Sequence, residues 1–279
     1  MWAEVSEACT LGENVDVCTT EKQGHGTELA KEAALAGYDR VVAVGGDGTI
    51  NEVMNGLFGT DTALAVVPAG TGNDWIRTVG IPIDPVKAWE VATNGRVSET
   101  DVGEAVGHRY FINVAGVGFD AEVARRVKVA RGLLARLGPT PRYLAAVLGT
   151  FFGYRGADVI ATIDGEERPL DKMFLMAIAV AKYYGSGMMI APQAEIDDGA
   201  LDLVWGADIR MLELLGLMKR IFGGRHLSHP KISTERCSEV TLNSDTPLPF
   251  HIDGDVAGTL PVTFKVHRKA LKIIVPEGK

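Results

Sequence analysis

Residues 41–53 read VVAVGGDGTINEV, and no other stretch limits the fold as much. Four apolar residues make a short buried strand, and glycines at 45, 46 and 48 break it off at once. Glycines directly after a parallel strand let the backbone turn with positive φ and aim successive N–H groups into one concavity, with Thr49 placed to cap the helix that follows. Such a nest holds phosphate. Asp47 inside it is repelled by phosphate unless it accepts backbone or ribose hydrogen bonds or faces a magnesium ion. Taken alone, the loop is equally compatible with a strand-to-helix turn that needs glycine for geometry.

The stretch VVPAGTGNDW, residues 66–75, breaks that tie. It too follows an apolar strand: Pro68 stops the strand, Gly70 and Gly72 free the loop, and Thr71, Asn73 and Asp74 supply hydroxyl, amide and carboxylate. Two polar glycine loops leaving neighbouring parallel strands at one end define the crevice in which open parallel sheets bind ligands.

Periodicity changes near residue 100. Before it, the runs VDVC (15–18), RVVAV (40–44) and ALAVVP (63–68) alternate with helical stretches 27–36, 49–58 and 85–93, which predicts a parallel sheet. After it, helical stretches 119–136 and 141–152 give way to strand-like runs, DVIATIDG, MFLMAIAVA, LDLVWGA, EVTLNS, PFHIDG, VTFKVHR and LKIIVP, with one helix at 208–222. The expectation is an α/β plus β chain: a Rossmann-like three-layer α/β domain over residues 1–99, then a β-sandwich domain over 100–279, with TNGRVSETDVG (93–103) crossing between them.

A net charge of −8 and a pI near 5.3 argue against a nucleic-acid partner, since neutralising phosphates needs a basic face. Cys9, Cys18 and Cys237 are odd in number and scattered, which suggests neither a disulfide framework nor a zinc site and fits a reducing cytoplasm. No uncharged run exceeds twelve residues, too few for a spanning helix. The opening MWAEVSEACTLG has neither the basic start nor the apolar stretch of a signal peptide. His25, His226 and His251 share no ligand spacing and read as surface or turn histidines.

Five marks, in order, resemble the diacylglycerol kinase catalytic-domain family, the bacterial and archaeal lipid kinases related to sphingosine and ceramide kinases. They are GGDGTINEV (45–53), PAGTGND (68–74), FINVAGVGFDA (111–121), GSGMMIAPQAEIDDGALDL (185–203) and HIDGDVAGTLPV (251–262). The resemblance implies that Gly45, Gly46, Asp47, Gly48, Thr49, Ile50 and Asn51 wrap the phosphates of ATP, with Thr20 and Thr71 completing the nucleotide set. It implies a magnesium ion held by the Asp198 side chain and by the residues matching Glu195 and Ala200, the last two through main-chain carbonyls. From spacing alone, Asp197-Asp198-Gly199 is also an ordinary hairpin turn. The family's proton acceptor is the glutamate of a D-G-E turn; here the turn is Asp253-Gly254-Asp255, so Asp255 takes the role one methylene shorter, with Asp253 as the runner-up. Family members open with a first strand and an Asn-Pro-containing loop that also contacts ATP, whereas this sequence starts inside the helix that follows them; a truncated start is expected, with an unpaired strand edge.

Residues 123–155 set Arg125, Arg126, Lys128, Arg131, Arg136 and Arg142 beside apolar positions, and residues 211–226 set Lys219, Arg220 and Arg225 behind a leucine-rich face. Locally basic amphipathic helices suit an anionic bilayer surface; packed helices with solvated arginines are the plainer reading. The leading expectation is an ATP- and magnesium-dependent lipid kinase acting on the hydroxyl of diacylglycerol or a similar lipid, peripherally attached to the membrane, with a homodimer allowed. The alternatives are a non-catalytic lipid- or nucleotide-binding module that kept the fold and, more weakly, a kinase of NAD or a sugar.

Overall fold

The computed structural model describes residues 14–129 and 139–278, without the side chains of 128–144. Helix α1 (His25–Leu35) leads to strand β1 (Arg40–Gly45), α2 (Asp47–Leu57), β2 (Ala63–Pro68), α3 (Asp74–Val79) and α4 (Pro85–Asn94). β1 and β2 pair in parallel from Arg40 opposite Ala63 to Gly45 opposite Pro68, so both polar glycine loops leave the same end of the sheet. Ile50, Met54, Leu57, Leu64, Trp75 and Ile76 close the core beneath them. α1 is pinned to α2 by Glu52, whose carboxylate accepts the N–H groups of Gly24 (2.8 Å) and Gly26 (3.1 Å) at the helix start.

The chain continues through β3 (Arg96–Ala105), β4 (Arg109–Phe111), β5 (Val114–Gly118), α5 (Phe119–Val129), α6 (Pro139–Phe151), β6 (Ala157–Ile163), β7 (Glu166–Ala179), the small pair β8 (Tyr183–Tyr184) and β9 (Met188–Met189), β10 (Leu201–Ala207) and α7 (Met211–Ile221). It ends with β11 (Ile232–Cys237), β12 (Glu239–Asn243), β13 (Pro249–Ile252), β14 (Asp255–Thr259) and β15 (Val262–Val275). Apart from β8 and β9, the strands form one connected sheet ordered β1-β2-β15-β12-β6-β7-β5-β13-β14, with β10 and β11 branching from β7, and β3 and β4 from β15. Phe111, Phe250 and Phe264 meet edge to face in the sandwich core.

Three segments differ from their sequence-based expectations. VDVC (15–18) forms no strand, and among the described residues no strand lies beyond β1 to give its backbone a ladder partner. LKIIVP joins the parallel sheet rather than the sandwich, because Ile273 pairs in parallel with Leu64 and β15 is one long strand that runs through both halves. The expected crossing at 93–103 is mostly β3, which pairs with β15 from Arg96 opposite Val275 to Ala105 opposite Phe264. Its Ser, Thr, Asp and Gly residues read as a loop, but an apolar partner strand satisfies its backbone and buries Thr100 to Gly103. The side chains of Lys128, Arg131, Arg136 and Arg142 are outside those described, and residues 130–136 of the expected helix and Cys9 lie outside the described residues.

Candidate active site

The two glycine loops touch backbone to backbone. A Cβ on Gly46 would lie 3.0 Å from the Gly70 Cα, and a Cβ on Gly70 would overlap the Gly46 Cα. Gly45 is closed in by Thr49, onto whose side chain a Cβ there would collide. None of Gly45, Gly46, Gly48, Gly70 or Gly72 has positive φ, and Gly46 is extended at φ −98°. The glycines serve close approach rather than an unusual turn, which corrects the reason for them drawn from sequence. α2 begins at Asp47 with no side-chain cap, so Thr49 sits inside the first turn instead of capping it. The unpaired N–H groups of a first helical turn and the helix dipole make the start of α2 favourable to an anion.

Asp47 turns toward the second loop. Its Oδ1 accepts the N–H of Asp74 at 3.0 Å, and Gly72 leaves room for its Oδ2. Asp74 accepts the N–H groups of Ser186 (2.8 Å) and Gly187 (2.6 Å); its carboxyl is raised above the ordinary range, chiefly by burial and further by the charge of Asp47, against those hydrogen bonds. Thr71 is exposed at the tip of its loop, and Thr20 is exposed in the segment before α1. Ile50 is core, with its N–H spent on the Gly46 carbonyl at 3.0 Å. Asn51 is buried and donates to Asp253 Oδ2 (2.8 Å) and to the Tyr110 carbonyl (3.1 Å).

Asp253 is the hub of the cleft. In a left-handed turn at φ +47°, it accepts from Asn51 and from the backbone N–H groups of Ile112 (3.4 Å), Asn113 (3.2 Å) and Val114 (3.0 Å). Burial pushes its carboxyl up to about 6 against those donors. Asp255, two residues on, is half-exposed and ion-paired with Arg109 Nη2 at 3.3 Å. Between the loops and this turn lies a cleft of about 230 Å³ lined by Asp47, Asp74, Asp120, Asp253, Tyr184 and His251, among others, but not by Asp255.

His251 is not a surface histidine: it is buried and its Nε2 lies 3.3 Å from Asp120 Oδ2. His226 is also buried, bonded through Nε2 to the Ile190 carbonyl at 2.9 Å, and burial lowers its pKa. Only His25 behaves as expected, accepting the Glu21 N–H near the surface. Lone histidines carry no periodic signal, so sequence reasoning missed the first two, and nothing local in FINVAGVGFDA marks Asp120 out.

Below Asp120 an apolar cavity of about 80 Å³ opens between α5, α6 and α7, lined by Phe119, Val123, Phe174, Leu214, Leu217 and others. Asp120 and Tyr184 line both spaces.

The expected metal set lies apart from the cleft. Asp198 accepts the Ala200 N–H at 3.0 Å and is ion-paired with Arg236, while Glu195 is exposed. Asp101 accepts the Gly199 N–H (2.6 Å) and the Lys269 N–H (2.7 Å), fastening the turn to β3 and β15. Asp202 beside them is pushed up to about 6, chiefly by burial, with Arg236 lowering it and Asp198 and Glu195 raising it. Its buried Oδ2 has no hydrogen-bond partner among the described residues. Among the described residues no group of three or more Asp, Glu, His or Cys side chains could hold a metal ion, so a hard cation here would draw on the Asp198 and Asp202 carboxylates and on main-chain carbonyls.

The fold defines an architecture in which an α/β half with two glycine loops at one sheet end is joined to a β-sandwich half. The family model of the diacylglycerol kinase catalytic domain matches residues 1–105, and that of the YegS C-terminal NAD kinase beta sandwich-like domain matches residues 113–275. The diacylglycerol kinase of Bacillus subtilis (strain 168) is 31% identical over 259 residues, covering 92% of this chain and 84% of its own. The diacylglycerol kinase of Staphylococcus haemolyticus (strain JCSC1435) is 26% identical over 277 residues, covering 95% and 80%. The crystal structure of a diacylglycerol kinase from Bacillus anthracis str. Sterne superposes with a TM-score of 0.70 at 22% identity, over 92% of this chain and 84% of that one, which supports the fold. This chain belongs to the diacylglycerol kinase family.

Proposed function

We propose that this chain transfers the γ-phosphate of ATP, with magnesium, to the hydroxyl of diacylglycerol or a related lipid at a membrane surface. The observation that carries it is the shared wall. A cleft carrying four carboxylates next to the glycine nest and an apolar cavity of about 80 Å³ meet at Asp120 and Tyr184, so a phosphate with its cation and an alkyl chain can be held on either side of one reacting point. At about 30 Å³ for each water-sized unit, the cavity has room for two or three of them, a few methylenes of an acyl chain.

The two regions divide near residue 100 on this reading, residues 1–99 holding nucleotide and 100–279 lipid, while β3 and β15 tie them into one body. Gly45 to Thr49 offer backbone N–H groups to the phosphates, and the exposed Thr71 and Thr20 complete the nucleotide set by family position. Asp47, Asp74, Asp120 and Asp253 put four carboxylates in the cleft, which repel a polyphosphate unless a cation accompanies it. Bound magnesium supplies that neutralisation and spreads the charge developing on the transferred group. A second cation would be held by Asp198 and the carbonyls of Glu195 and Ala200, with Asp202 beside Asp198 as a further carboxylate. The family's proton-acceptor position is occupied here by Asp255, which is half-exposed and paired with Arg109.

Membrane contact falls to α7. Its inner face, Leu214, Leu217, Met218 and Ile221, lines the cavity, while Leu212, Leu215 and Phe222 are exposed on a stripe with Lys219 between them. The test is label transfer from ATP to alcohols of graded chain length. Turnover should rise with acyl length and be negligible for glycerol, NAD or sugars; an equal rate on the water-soluble alcohols would contradict the reading.

A further inference from the structure

Asp120 and His251 are 8% and 3% exposed and face one another in the wall of the cleft. Gly254 donates its N–H to His251 Nδ1 at 3.3 Å, so Nδ1 is the acceptor and the ring proton sits on Nε2, directed at Asp120 Oδ2. The Tyr184 ring lies nearly parallel to the imidazole, with centroids 6.5 Å apart. Room for the pair comes from Gly116 on β5, where a Cβ would overlap both Asp120 Oδ2 and His251 Nε2. Asp120 also stands in the first turn of α5, where its Oδ1 accepts the Ala121 N–H at 2.8 Å and the helix dipole favours its negative charge. Each oxygen keeps a lone pair for a further donor.

The position is the argument. An alcohol whose alkyl chain lies in the apolar cavity brings its hydroxyl to the junction with the cleft, and Asp120 is the carboxylate at that junction. Asp255 is a methylene shorter than the family's glutamate, is paired with Arg109 at 3.3 Å and does not line the cleft. We propose that in this chain Asp120, oriented by His251, takes the proton of the acceptor hydroxyl. This rests on the cavity being the acyl site. The hydroxyl oxygen forms a bond to the γ-phosphorus as the bond from that phosphorus to the β,γ-bridging oxygen breaks. The bridging oxygen keeps the electron pair and leaves with ADP, and the hydroxyl proton passes to the Asp120 carboxylate and then to solvent. His251 is a positioning residue: its Nε2–H fixes the carboxylate without touching the acceptor. Asp255 holds Arg109, whose Nη2 donates to the Ile252 carbonyl at 2.8 Å and so frames the turn.

The experiment compares Asp120→Asn, Asp255→Asn, His251→Ala and His251→Gln on a short-chain and a long-chain diacylglycerol, with the ATP Kd measured by calorimetry. Asp120→Asn should lower kcat by about 10² fold or more on both acceptors and leave the ATP Kd within about twofold, whereas Asp255→Asn should lose less than about tenfold. His251→Ala should lower kcat with little change in the acceptor KM, and His251→Gln, which restores an N–H donor, should recover part of it. Full turnover in Asp120→Asn with loss in Asp255→Asn overturns the proposal and returns the role to the late turn. Should Asp120→Asn fail to fold, the histidine pair decides, and wild-type kcat in both of its variants counts against the proposal. Leu217→Trp, which fills the cavity, separates the two layers: it should raise KM for the long chain alone. If it does not, while Asp120→Asn still loses kcat, the acyl assignment falls and the proton acceptor stands.

Discussion

Asn51 Nδ2 donates to Asp253 Oδ2 at 2.8 Å, a bond between residues 202 positions apart that ties the first glycine loop's helix to the late Asp-Gly-Asp turn. Asp253 answers with a carboxylate that also takes three backbone donors from the segment leading into β5. Asn51→Leu should cost about 1.5–3 kcal/mol, the range for a hydrogen bond to a charged group. Asp253→Ala should cost about 3 kcal/mol or more because it orphans those N–H groups. Urea denaturation of both single variants and the double variant checks this, and the two effects should fall well short of additive.

The contact of Gly46 with Gly70 carries a prediction about nucleotide. Gly70→Ala places a methyl group on the Gly46 backbone and must spread the two loops. ATP affinity should fall by about tenfold or more, with the melting temperature reduced far less than for a core truncation. An unchanged Kd in the folded variant would mean that the loops do not act together.

Stability should depend on pH through Asp253. Burial pushes its folded value to about 6, above the ordinary carboxylate value of about 4, so the folded chain binds this proton more tightly than the unfolded chain. Stability contributed by the protonated form is present below about pH 4 and is lost as pH rises to about 6, with an upper limit of about 3 kcal/mol. Carboxylates drawn down by partners, such as Glu122 beside Arg125, act in the opposite sense at lower pH. Unfolding free energy of Asp253→Asn, measured at pH 4.5 and 7.5, should show a flatter loss across this window than wild type.

The stripe on α7 predicts which charges matter at a bilayer. Lys219→Glu with Arg220→Glu should weaken binding to anionic vesicles by roughly 1 kcal/mol or more per reversed charge, with little effect on neutral ones. Reversal of Arg125 and Arg126 should matter less, because Glu122 already pairs with both. Cosedimentation with phosphatidylglycerol and phosphatidylcholine vesicles reads the difference, and equal binding by all variants would remove α7 from the interface.

The parts of this chain that were legible in its sequence are those where a periodic or local signal decides the structure. β1 and β2 are apolar runs stopped by glycine or proline, and the loops after them fall where expected. In the second half β6 follows an alternating pattern, while β10 and the latter part of β7 are continuous apolar runs that are buried along most of their length. Pairing across long separations left no such mark: β3 reads as a linker until β15 is beside it, and Ile273 reaches Leu64 only because the end of the chain returns to the first sheet.

The site divides in the same way. Asp47 and Asp253 sit in motifs and were legible as members of a polar site, but the hydrogen bonds that make Asp253 its hub come from residues 112–114 and 51. Asp120 and His251, 131 positions apart, form a buried pair visible only after folding, and the space for it depends on a glycine in a strand that reads as ordinary.

The most direct test of the central claim is transfer of labelled γ-phosphate from ATP to diacylglycerol in anionic vesicles, with magnesium present, followed by separation of the lipid product. Wild-type chain should yield labelled phosphatidic acid at a rate that falls by about 10² fold or more in Asp120→Asn. Label that stays in ATP, or appears only as free phosphate whether or not the lipid is present, would contradict the account.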